Sequence, residues 1–216
     1  MGEKRNRLII ALSGKKGSGK STVSRFLVQQ HGFKWLSYAA PGRQMLKALG
    51  LGDVDFLPEN KEEPIAWLSG VREVTPRYLM QTLLSAWGRE QVHPDLWAFV
   101  VGQKILKCEG DVVIDDLRFN NEAELLLHTF GKEQVRIIKL VRPGLRSNHL
   151  SQHVSENGVN DALIHNTIVN DTTPARLCTK VLDALQISGP AKGFASSALP
   201  LNRKFARSRD NDRVEL

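Results

Sequence analysis

Early in the chain, Gly14-Lys15-Lys16-Gly17-Ser18-Gly19-Lys20-Ser21 follows an apolar run at 8–12 and precedes an amphipathic segment at 22–30. The spacing G-x-x-x-x-G-K-[ST] between a strand and a helix is that of a phosphate-binding P-loop. The residue types have a physical reason. Glycines let the backbone curl into a concave nest whose N–H groups point at phosphate oxygens. The first turn of the following helix adds unsatisfied N–H groups and the positive end of its dipole. Gly14, Lys15, Gly17, Ser18, Gly19 and Thr22 are therefore expected around a polyphosphate. Lys20 is expected on the β- and γ-phosphates of ATP, and the Ser21 hydroxyl on Mg²⁺.

Such a loop needs a sheet behind it, and the downstream pattern supplies one. Short strands expected at 33–38, 111–116, 134–141 and 164–169 alternate with helices at 41–49, 77 to about 87, 96–108, 121–130 and 174–185. Thr75-Pro76 and Thr173-Pro174 are the cap-plus-first-turn pairs that start helices. The alternation predicts an α/β chain with a mostly parallel sheet between two helical layers. Residues 50–75, broken by Gly50, Gly52, Pro58, Pro64 and Gly70, read as a loop-rich insertion, and 144–163 as a polar, lid-like loop. Ligands of such sheets bind at the carboxyl ends of the strands, where Gly14, Asp116 and Arg142 all fall.

The net charge of +7 over 216 residues favours polyanionic partners, but nucleotides are polyanions as much as nucleic acids are. Part of the excess sits in residues 187–216, where six basic residues face three acidic ones without periodicity; that tail reads as disordered. Two cysteines make no disulfide framework, so a reducing cytoplasm is expected. The apolar run at 8–12 is too short for a signal peptide or a membrane span.

Asp116 ends an apolar strand downstream of the P-loop, the placement of an acid that holds Mg²⁺. Asp115 competes for the role, because neighbours on a strand face opposite sides. Arg43, Arg77, Arg89, Arg118, Arg142 and Arg146 fall at element ends or in polar loops. Planar, permanent cations suit transfer between two polyanions. No catalytic base stands out, which suits an acceptor that is itself an ionised phosphate. Trp87 and Trp97 lie at apolar helical spacing and read as core or pocket wall. Gln81 can donate and accept, and so could read a base edge. His153 beside Ser155-Glu156 is weak evidence for a metal.

At these residues the chain resembles the phage-type deoxynucleoside monophosphate kinases, P-loop enzymes of the adenylate-kinase-like superfamily. The resemblance covers most of residues 8–186. Besides the P-loop it rests on Trp87-Gly88-Arg89 with His93-Pro94-Asp95-Leu96-Trp97, and on Asp116-Leu117-Arg118-Phe119-Asn120-Asn121-Glu122-Ala123. Arg142-Pro143-Gly144, His153-Val154-Ser155-Glu156 and Ile168-Val169-Asn170 add to it. It implies a nucleoside-monophosphate-kinase-like fold over residues 7–186, with acceptor-binding helices at about 40–108 and a lid at about 143–163. It also implies transfer of the ATP γ-phosphate to a deoxynucleoside monophosphate in the cytoplasm of a host. Carried over by position, Lys20 and Ser21 hold ATP and Mg²⁺, Asp116 is the acid at the metal, and Asn170 lines the adenine side. Arg43, Arg77, Gln81, Arg89 and Trp97 would hold the monophosphate; Arg118, Arg142 and Arg146 would clamp the transferring group. The partner is thus a small nucleotide, with no membrane and no nucleic acid implied, and a homodimer is left open. Leu84-Ser85-Ala86 stand where the family usually carries Gly-Thr-Glu, beside the acceptor pocket. The competing readings are a phosphomevalonate-kinase-like small-molecule kinase and a P-loop ATPase acting on nucleic acid.

Overall fold

Every residue of the first strand, β1 (Ile9–Ser13), is buried, as a near-continuous apolar run demands of a central parallel strand covered on both faces. The computed structural model describes residues 7–68, 70, 72–145 and 158–187. Arg146, residues 153–156 and the tail from 188 onward lie outside the described residues, as does most of the expected lid.

The sheet has five strands in the order β2 (Lys34–Leu36), β3 (Val112–Ile114), β1, β4 (Val135–Val141), β5 (Asn166–Val169). All pairings are parallel, with Ile9 opposite Val112 on one side and Val135 on the other. Because strand side chains alternate, β1 feeds two cores. Ile9 and Ala11 pack with Trp97, Val101 and Ile105 of α4 (Leu96–Lys107) and with Ala123 and Leu126 of α5 (Asn120–Phe130). Ile10 and Leu12 pack with Val23 and Leu27 of α1 (Lys20–His31) and with Leu177 and Val181 of α6 (Pro174–Leu185). The result is the expected three-layer α/β/α arrangement.

A smaller cluster of Leu46, Leu51 and Ile65 lies apart from these cores. It joins α2 (Ala40–Ala48) and the 50–75 insertion to α3 (Pro76–Gln81), whose cap is the Thr75 hydroxyl accepting from Tyr78 N–H at 3.1 Å. The sequence reading ended this helix near 87. Instead it continues as a wider π-helical segment, Thr82–Val92, closed by His93 N–H donating to Gly88 C=O at 3.0 Å. Gly88 is not a stop signal here: a Cβ on it would lie 2.6 Å from the Trp97 indole, so the glycine serves a close approach. Wide helical turns of this type are rare and concentrate at functional sites.

No helix among the described residues is long and apolar enough to cross a membrane. Cys108 and Cys178 are free, and burial pushes the Cys178 thiol up to about 11.

Candidate active site

Backbone conformation builds the P-loop. Gly14, Gly17 and Gly19 have φ of 138°, 84° and 108°, a region that side chains disfavour. At two of them space is also lacking. A Cβ on Gly14 would sit 2.3 Å from the Leu140 carbonyl oxygen, and one on Gly19 would sit 2.7 Å from Leu177 and 2.8 Å from the Asn170 amide. That amide, buried, donates to Ser18 C=O at 3.0 Å and so ties the loop to the end of β5. The Lys20 ammonium curls back to the carbonyls of Gly14 and Lys15 at the mouth of the nest.

Two cavities meet in front of this loop. One, where the sequence places the phosphate donor and so called the donor cavity, is about 450 Å³ and is lined by Gly17, Gly19, Lys20, Ser21 and Thr22 together with Asp115, Arg142 and Asn170. The other, on the expected acceptor side and so called the acceptor cavity, is about 260 Å³ and is lined by Tyr38, Arg77, Gln81, Leu84, Ser85, Arg89 and Phe119, among others. Arg43, Lys61, Asp116 and Arg118 line both, so the seam between the cavities carries three cations and a carboxylate. Of the remaining P-loop residues, Gly14 and Lys15 face a third cavity behind the loop, and Ser18 is buried beneath it.

The neighbouring aspartates point to different places. Asp115 accepts a hydrogen bond from the Ser21 hydroxyl at 3.1 Å. Asp116, where the metal acid was expected, is taken up by the β2–α2 turn: it accepts from Ser37 Oγ at 2.7 Å, Tyr38 N–H at 2.9 Å and Ala39 N–H at 3.0 Å. Burial, and then the Asp116 carboxylate beside it, raise the Asp115 carboxyl above the ordinary range; bonds from Trp35 and Ser21 and the charge of Arg43 oppose them. A hard divalent cation fits here by donor chemistry, since Ser21 and Asp115 present oxygen ligands at the mouth of the phosphate nest.

The acceptor side is organised by Glu122, which is 2% exposed. One carboxylate oxygen accepts from Arg89 at 2.9 Å; the other accepts from the N–H groups of Arg118 at 3.0 Å and Phe119 at 3.2 Å. This is the reciprocal half of a capping box at the start of α5. The Arg89 guanidinium also lies 4.4 Å above the Phe119 ring. Burial raises the Glu122 carboxyl to about 7, against the pull of the Arg118 N–H and Arg89.

Of the residues expected around the acceptor, Arg43, Arg77, Gln81 and Arg89 reach its cavity and Trp97 does not. Trp97 lies in the core at 3% exposure and donates its indole N–H to Leu84 C=O at 2.8 Å, bracing the wall from behind. Arg142 lines the donor cavity, and Arg146 falls outside the described residues. Among the lining residues that the sequence did not single out are Lys61, Tyr38 and Glu122, while Asp115, the competitor for the metal, is the aspartate that partners Ser21. Glu122 had a signal, an acid three places after Phe119 at a helix start. Lys61 had none, since it sits in a segment without periodicity.

A P-loop at the head of a five-stranded parallel sheet, opening on a cavity that shares a cationic seam with a second, defines a P-loop α/β fold. The chain is 33% identical over 122 residues to the deoxynucleoside-5′-monophosphate kinase of Escherichia phage T5, a match spanning 56% of this chain and 47% of that one. It is 30% identical over 164 residues to an Acanthamoeba polyphaga mimivirus protein provisionally named deoxynucleotide monophosphate kinase, spanning 69% of this chain and 80% of that one. The chain belongs to the deoxynucleotide monophosphate kinase family. It spans about half the length of the phage T5 relative. No protein-family model matches it. Among solved structures, dephospho-CoA kinase from Campylobacter jejuni is 16% identical with a TM-score of 0.45, covering 83% of this chain and 95% of that one. Shikimate kinase from Acinetobacter baumannii is 18% identical with a TM-score of 0.44, covering 83% and 93%. These likenesses are too distant to bear on activity.

Proposed function

We propose that this chain transfers the γ-phosphoryl group of ATP to the phosphate of a deoxynucleoside monophosphate, giving the diphosphate and ADP. The observation that carries the reading is the pair of adjoining cavities, one built on the P-loop and one lined by arginines, with a cationic seam between them. The family supports the choice of acceptor.

The chemistry follows from these residues. ATP lies in the donor cavity with its β- and γ-phosphates on the P-loop N–H groups and Lys20. Ser21 and Asp115, rather than Asp116, would hold Mg²⁺, which would neutralise charge on those phosphates. The monophosphate enters the acceptor cavity, where Arg89 and Arg77 hold its phosphate and Gln81 faces its base. An acceptor phosphate oxygen attacks the γ-phosphorus, and the bond to the β–γ bridging oxygen breaks with its electron pair leaving on ADP. No protein base is needed, because the acceptor is already ionised. Arg118 in the seam and Arg142 on the donor side meet the charge that builds on the transferring group.

The test is ADP release with Mg-ATP against a panel of dAMP, dGMP, dCMP, dTMP, their ribo forms, phosphomevalonate and single-stranded DNA. Turnover with deoxy monophosphates, and little without acceptor, is expected. Turnover with DNA alone would overturn the proposal.

A further inference from the structure

Lys61 stands in the seam between the cavities, on a segment that carries no part of the phosphate-binding motif. Its backbone is fixed from both sides: its N–H donates to Leu57 C=O at 3.0 Å, and its C=O accepts from Arg77 N–H at 2.9 Å. Nearby, Ile65 anchors the same segment in the satellite core with Leu46 and Leu51. The position is therefore built rather than incidental.

Two arginines of the acceptor cavity differ from it in one respect. Arg77 is paired with Glu62, and Arg89 with the buried Glu122. Each of those arginines already has a carboxylate to balance its charge. Lys61 has no carboxylate within ion-pair distance among the described residues. Instead it is crowded by like charge: burial first, then Arg77, Lys16 and Arg118, depress its ammonium, and only Glu62 opposes them. A cluster of cations facing a cavity without enough carboxylates is relieved by a bound polyanion. Here the polyanion would have to lie across the seam, since Lys61 lines both cavities.

We infer that Lys61 bridges the two substrates, its ammonium contacting the acceptor phosphate and the γ-phosphoryl group as that group crosses from one cavity to the other. This rests on the kinase reading above. Lys61 exchanges no proton in the step: the acceptor oxygen forms the new bond to phosphorus, ADP departs with the electrons of the old one, and the ammonium follows the moving charge. A cation seated this way stabilises the crossing more than it stabilises either bound substrate.

The experiment uses the full chain, Lys61→Met and Lys61→Arg. It measures turnover together with binding of ATP, of the monophosphate that the wild type phosphorylates best, and of a bisubstrate probe. The probe joins adenosine to the corresponding deoxynucleoside through five phosphates. For Lys61→Met, kcat is expected to fall about a hundredfold, and ATP binding to stay within about threefold of wild type. Probe affinity should drop at least about tenfold more than affinity for either nucleotide alone, because only the probe occupies both sides of the seam. Lys61→Arg, which keeps the charge, should recover most of both losses. Wild-type turnover and probe binding by Lys61→Met would overturn the inference and leave the kinase reading standing. Failure of the wild type to phosphorylate any monophosphate would overturn both, whereas turnover without probe binding would overturn the inference alone. Retained ATP binding shows that a loss does not come from misfolding.

Discussion

In the proposed reaction the donor's phosphates would meet backbone, and the acceptor's would meet side chains. The P-loop springs from β1, a strand buried along its whole length, and its shape is set by glycines at positive φ, two of which also have no room for a Cβ. The acceptor cavity has no such frame. Its wall is collected from α2, the 50–75 insertion, the π-helical segment after α3 and the start of α5, and its cations are aimed by carboxylates such as Glu62 and Glu122. On the proposed reading, one half would be a fixed receptor for one invariant ligand, and the other could be retuned by changing single residues, as a choice among acceptors would require.

The largest effect expected from this contrast is on the donor side. Lys20→Ala should lower kcat by about a thousandfold with thermal stability nearly unchanged, because the lysine acts on charge that develops during transfer. Steady-state kinetics beside a melting curve tests this, and near-wild-type turnover would show that the backbone nest alone does the work.

Next come the two aspartates, which share a strand end but bond different partners. Asp115→Asn should lower turnover about a hundredfold and weaken the dependence on Mg²⁺. It should not destabilise the fold, since burial and Asp116 already make the charged form of Asp115 unfavourable. Asp116→Asn should do the reverse. It weakens acceptor bonds to Ser37, Tyr38 and Ala39, costing about 2 kcal/mol, and leaves turnover within about tenfold of wild type. Exchanged phenotypes would return the metal to Asp116.

These aspartates also show what a sequence can and cannot disclose. Strand alternation says that only one of Asp115 and Asp116 can face Ser21, but not which, because that depends on a turn closing from residues 37–39 far upstream. The P-loop, the strand order's parallel character and the helix caps at Thr75 and Thr173 were legible because each is a local pattern. Lys61 was not, because its place follows from packing of an aperiodic loop on a satellite core. Spacing marked Trp97 as core or pocket wall and the resemblance put it on the monophosphate; it lies in the core, where Gly88 leaves room for its indole behind the wall.

A smaller effect concerns the carboxylate that aims Arg89. In the folded chain Glu122 titrates near 7 against an ordinary value of 4.5. A carboxyl raised on folding binds more protons in the native state between those values, so its stabilisation is complete below about pH 4.5 and is lost as pH rises through about 7. The loss is on the order of 3 kcal/mol. Urea unfolding at about pH 5 and pH 8 should show that fall in wild type, and Glu122→Gln should flatten it. An equal slope in both proteins would mean that Arg89 holds Glu122 ionised throughout, making the acceptor side as fixed as the donor side.

The smallest effect is the sharpest comparison, because the same chemistry occurs once in each half. Thr75 caps α3 through Tyr78 N–H at 3.1 Å, and Thr173 caps α6 through Arg176 N–H at 3.4 Å. Replacing either by Ala should cost about 1 kcal/mol of stability. Their kinetic consequences should differ. Arg77 and Gln81 ride on the helix that Thr75 starts, so Thr75→Ala should raise KM for the monophosphate a few-fold and leave KM for ATP alone. The helix that Thr173 starts touches the P-loop through Leu177, but Asn170 and the parallel sheet hold that loop independently. Thr173→Ala should therefore lose stability without a change in either KM. Equal kinetic effects from the two caps would mean that the acceptor wall is as well braced as the P-loop, and that specificity does not reside in its looseness.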